Sequence, residues 1–160
     1  MVPIETLFKE EKISRISELE LGRYVNFFEN SYKDDLNHSK ENLDKFPRWS
    51  IISGYYTMHD MSKLFLAKKF RIKIEKEVHS TTIKVLRILS KRKDLTKLLE
   101  TGYKEFQNLI IELEMGKKER IKAQYYTGTA YLEKVYRDRA KYFLNNIVEK
   151  FISKMKELVI

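Results

Sequence analysis

The chain has 160 residues, with 32 lysines and arginines against 23 aspartates and glutamates, a net charge of +9. It holds no cysteine, which excludes disulfides, thiolate metal sites and cysteine nucleophiles and fits a reducing interior. A pI near 9.5 points toward phosphate-bearing or acidic partners, although a Lys/Glu-rich balance also builds ion-pair networks in proteins from hot environments.

The length suits one domain spanning 1–160, large enough to bury a core without a metal or a crosslink. Residues 1–12 (MVPIETLFKEEK) lack the basic-then-apolar order of a secretion signal. No apolar run approaches the ~20 residues of a membrane span. A soluble, cytoplasmic protein without membrane association is therefore expected. Five glycines and two prolines leave few breaks, and no strand-like alternation is bounded by turn residues. The expected fold is all-α, an antiparallel up-and-down bundle of four to five main helices.

Residues 1–13 form a short N-terminal helix or arm in this reading. The first long helix is expected over 14–42, with Ile16, Leu19, Tyr24, Phe27, Phe28 and Leu36 at helical spacing. The second covers 47–70, since proline suits a first helical turn. Ile52, Tyr55, Tyr56, Met58, Phe65, Leu66 and Phe70 share one broad face of it, with His59 near the centre. Asp60, Thr57, Leu64 and Lys68 point elsewhere, so His59 and Asp60 face apart and cannot pair. His59 reads as a buried neutral imidazole bonded to another helix, and Lys63 as a rim lysine reaching for solvent.

A third helix starts near Ser80 and carries Ile83, Leu86 and Leu89. A fourth spans 94–114, with a stripe of Leu95, Leu98, Leu99, Phe106, Leu109, Ile110 and Leu113. The last begins near Thr129 and keeps its stripe to the terminus, through Phe143, Leu144, Val148, Phe151, Ile152 and Met155.

Two stretches carry chemistry. Between the second and third helices, Lys68, Lys69, Arg71, Lys73 and Lys76 crowd together, offset by Glu75 and Glu77. His79 follows at a helix start, where free amides favour anions. The loop is either a phosphate site or a solvated connection. Further on, 115–131 (MGKKERIKAQYYTGTAY) interleaves cations with tyrosines, a mixture able to hold phosphate and stack bases. It also suits a junction whose tyrosines pack on the bundle. The glycines are isolated, so no P-loop or dinucleotide fingerprint is present. The histidines are dispersed and no Glu-x-x-His pair faces inward, so no metal or other cofactor is expected.

YYTMHDMSKLFLAKKF (55–70) followed by EVHSTT (77–82), ERIKAQYY (119–126) and TAYLEKVYRDRAKYFLNNIVEKFI (129–152) resembles the HEPN family in order and spacing. The likeness runs from about residue 17 onward. It implies an antiparallel bundle of four or five helices, frequently a homodimer. It also implies a partner of minimal nucleotidyltransferases in two-component systems, a nucleotide binder or a metal-independent ribonuclease. The ribonuclease branch places a histidine four to six residues after an arginine. Here His38 and His59 have no such arginine, and Arg71 precedes His79 by one residue too many. Arg120 is followed by Tyr125 and Tyr126. A tyrosine with its ordinary pKa near 10 is a poor general base. The expected function is binding of nucleotide or RNA phosphates through Lys68, Lys69, Arg71, Lys73, His79 and Arg120. The alternatives are an endoribonuclease with an atypical His79, Arg120 and Tyr125 site, and a structural module docking an acidic protein.

Overall fold

The computed structural model describes residues 3–120 and 129–159, and among them the side chains of 3–115 and 133–159. Helix α1 (Ile4–Lys9) leads into strand β1 (Ile13–Arg15) and helices α2 (Glu18–Glu41) and α3 (Pro47–Phe70). Strand β2 (Ile72–Ile74), α4 (Val78–Ser90) and α5 (Lys93–Arg120) follow. α6 (Thr129–Phe143) continues through a π-helical turn (Leu144–Val148) into α7 (Glu149–Val159). The protein is an all-α helical bundle with one very small sheet. Among the described residues, no helix is long and apolar enough to cross a membrane.

α3 is the axis of the bundle. α2 lies along it, and α4, α5, α6 and α7 pack around the remainder. It begins where expected because Pro47 fixes a helical φ at the first position, where an amide hydrogen has no partner. It ends where Arg71 turns left-handed (φ 54°) and its amide bonds back to the Ala67 carbonyl at 3.0 Å.

The expectation of one broad buried face on α3 is corrected here. Thr57, Asp60 and Leu64 are buried along with Tyr55, Met58 and Leu66, because neighbours surround the helix on nearly every side. Small polar residues make this possible. Thr57 and Ser62 donate to carbonyls one turn back, Ser53 at 2.9 Å and Met58 at 2.8 Å, so their hydroxyls are satisfied without reaching out. Ser39 and Ser50 exchange hydroxyl-to-carbonyl bonds of 2.7 and 2.6 Å and clasp α2 to α3. A Cβ on Gly54 would stand 3.0 Å from Val148 and 3.1 Å from Phe143, so its absence lets α3 approach the π turn closely.

The N-terminal segment differs from expectation. The helix expected from residue 14 begins at Glu18, and 13–15 form a strand antiparallel to β2, with Ile13 opposite Ile74 and Arg15 opposite Ile72. The pairing buries Ile13, Ile72 and Ile74 and gives the backbone partners that a helix would otherwise supply. Burial of each such aliphatic side chain is worth about 1.5–3 kcal/mol.

Candidate functional site

The middle of α3 gathers an interior ring cluster. Tyr55 and His59, four residues apart, project toward His79 in the first turn of α4 and toward Tyr103 and Phe106 on α5. The ring centroids lie 4.9 Å apart for His59–His79, 4.8 Å for Tyr55–Phe106 and 5.3 Å for His79–Tyr103. The Tyr55 hydroxyl meets His79 Nδ1 at 2.7 Å. Burial raises the Tyr55 pKa, so the phenol keeps its proton and donates it to a neutral ring. The His79 pKa is lowered to about 4, first by burial and then by His59 and Lys63.

His59 is 1% exposed, and its Nε2 lies 3.3 Å from the Thr82 hydroxyl of α4. Thr82 already donates to the Val78 carbonyl, so its oxygen accepts from Nε2–H. Burial lowers the His59 pKa, which the Asp60 carboxylate offsets in part. The neutral, helix-bonded imidazole read from the sequence is what the fold contains. Its separation from Asp60 is not. Asp60 Oδ1 comes within 3.5 Å of His59 Nδ1, although that buried nitrogen has no aligned hydrogen bond. The two side chains converge because the packing around α3 leaves the carboxylate no route to water.

Asp60 instead accepts from the Ser31 hydroxyl of α2 at 2.6 Å, with Lys63 Nζ 3.9 Å away. Lys63 does not simply extend to solvent: its ammonium sits 4.9 Å above the Phe28 ring. On α2, the Asp35 pKa is raised to about 6 by burial and then by Asp60. The third histidine, His38, lies apart and meets Ser53 through Nδ1 at 2.6 Å. The cluster thus holds neutral imidazoles among protonated phenols. His59 is fully enclosed, whereas His79 is half-buried at the start of α4.

The basic stretch is outside, and it is heavily paired. Lys68 lies 3.6 Å from Glu29, Lys73 3.4 Å from Glu75 and Lys76 2.8 Å from Glu11, while Arg71 pairs with Glu18. Lys69 is exposed beside them. Arg71 caps α3 immediately before β2, and Lys73 is the central residue of that strand. Arg71 turns to Glu18 and His79 to Tyr55, and the two share no partner. Arg120 ends α5, but its side chain, like Tyr125 and Tyr126, falls outside the described residues.

The meeting of His59 with His79 was not visible in the sequence. Residues twenty positions apart on different helices give no periodic signal, although the aromatic spacing of Tyr55, Tyr56, Tyr103 and Phe106 hints at a stacked interior. Comparison with protein-family models, with curated proteins and with solved structures finds no match to this chain.

Proposed function

We propose that this helical bundle is a HEPN-like protein that binds nucleotide or RNA phosphates through Lys68, Arg71, Lys73 and neighbouring cations. Its working form is a homodimer, and a minimal nucleotidyltransferase is its partner. The observation that carries the reading is the division of labour in the molecule. The chain carries an excess of nine positive charges and exposes Lys68, Lys69 and Arg71, while the His59 and His79 imidazoles pack against each other with pKa values held below the ordinary histidine range. That division favours binding over strand cleavage.

The ion pairs on Lys68, Arg71 and Lys73 do not oppose this. Exposed pairs are worth about 0–1 kcal/mol, so a phosphate can displace Glu18 from Arg71 at small cost. An arginine fork on a phosphate replaces the lost contact with two charge-assisted hydrogen bonds.

Titration of inorganic polyphosphate and of a short oligoribonucleotide into the protein tests the reading. Three phosphate contacts on a single strand predict roughly a 20-fold loss of affinity over a fourfold rise in salt. Failure of both ligands to bind at low salt would remove the proposal.

A further inference from the structure

The turn from α2 to α3 reads KFPRW (45–49), and it presents two large aromatic side chains to solvent. Phe46 is 56% exposed and Trp49, the chain's sole tryptophan, is 58% exposed. They flank the start of one helix, Phe46 at its N-cap and Trp49 in its first turn.

Neither side chain joins the hydrophobic core. Phe46 occupies the N-cap of α3, where its carbonyl accepts from the amides of Trp49 (2.9 Å) and Ser50 (3.1 Å), but no side chain caps the helix. Serine, threonine, asparagine or aspartate at this position would satisfy a free amide. The sequence instead places an exposed ring.

Cations gather about this turn. Lys45 and Arg48 have no carboxylate within ion-pair distance among the described residues, and the Arg48 guanidinium sits 5.4 Å over the Tyr136 ring. From α6, Arg137 and Lys141 both lie 3.8 Å from the single carboxylate of Asp44. Two positive groups thus share one negative group, and the buried Arg137 Nε has no hydrogen-bond partner.

Resting on the phosphate-binding reading above, we infer that Phe46 and Trp49 form a stacking platform for unpaired bases of single-stranded nucleic acid, with Lys45, Arg48, Arg137 and Lys141 holding its backbone. Exposed aromatic faces with flanking cations match the two recurring parts of such a strand, planar bases and phosphates. A duplex hides its base faces and loses the first of these interactions. A protein partner docking through Trp49 would favour an apolar surround, whereas here four cations outnumber the carboxylate of Asp44.

Because Trp49 is the sole tryptophan, its emission reports on this corner alone. Oligouridylate titrated into the full chain is expected to quench that emission, and inorganic polyphosphate to bind without comparable quenching. Duplex of the same length should quench less. Trp49→Ala should weaken oligouridylate binding by about fivefold or more while leaving polyphosphate affinity unchanged. Phe46→Ser should also weaken it while leaving the melting temperature the same or higher, which separates loss of binding from loss of fold.

If oligouridylate binds with Trp49 emission unchanged and Trp49→Ala binds equally well, the platform is overturned while phosphate binding stands. If neither oligouridylate nor polyphosphate binds at low salt, both readings fall. An emission change that follows protein concentration alone would make this corner a contact between copies of the chain, and would also overturn the inference.

Discussion

The interior of α3 and the strand edge at its C-terminal end both carry polar side chains but treat them in opposite ways. Inside, histidine, tyrosine and serine side chains are held neutral and hydrogen-bonded, and aromatic rings stack between them. At the edge, lysine, arginine and glutamate meet in exposed pairs. Desolvation decides the difference: a buried charge is costly unless fully paired, whereas an exposed one loses little by being exchanged. The interior therefore contributes fold, and the edge keeps ion pairs that can be exchanged at small cost.

Substitutions should separate the two regions by size of effect. Tyr55 is fully buried, and Tyr55→Ala is expected to cost about 3–5 kcal/mol in chemical denaturation, as large-to-small changes of buried aromatics do. Gly54→Ala should cost about 1–3 kcal/mol through crowding against Val148 and Phe143. A neutral result there would show that the α3–π turn contact is looser than these distances imply.

Acid should weaken the interior next. The folded-state pKa of His79 lies below its unfolded value of 6.5, at about 4, so the unfolded chain binds more protons between these values. Stability from this group is complete above about pH 6.5 and falls as pH drops toward 4. His59 acts in the same direction. Asp35 opposes them: its pKa is raised from 3.8 to about 6, so its burial penalises the fold above pH 6 and is relieved as pH falls. Asp35→Asn should therefore raise the melting temperature at pH 7 and steepen the acid loss. A flat melting profile between pH 7 and 4.5 in that variant would contradict the assignment of His59 and His79 as neutral interior groups.

The smallest effect on stability belongs to the edge. Arg71→Ala removes the pair with Glu18 and should change unfolding free energy by about 1 kcal/mol or less. A loss of several kcal/mol would place Arg71 with the interior instead.

The sequence revealed this molecule unevenly, for physical reasons. α3 was legible to its last residue because Pro47 marks its start and a dense apolar run follows it. Burial of His59 was legible for the same reason. The depth of Asp60 and Thr57 was not, since a helical wheel assumes one buried face and cannot show that a helix is enclosed on nearly every side. β1 and β2 were hidden because three-residue strands carry little pattern and pair across about sixty residues of sequence. The basic edge was legible as charge, but its pairing with Glu11, Glu18 and Glu29 arises only when α1, α2 and β2 come together.

The central claim is that the exterior binds phosphate and the interior does not take part. It is tested most directly by measuring oligoribonucleotide affinity at two salt concentrations for the native chain and for the Lys68→Ala, Arg71→Ala, Lys73→Ala triple variant. The account predicts at most a small drop in melting temperature, weaker binding, and a salt slope reduced by about 0.7 for each contact removed. Equal affinity and equal slope for the two proteins would contradict it.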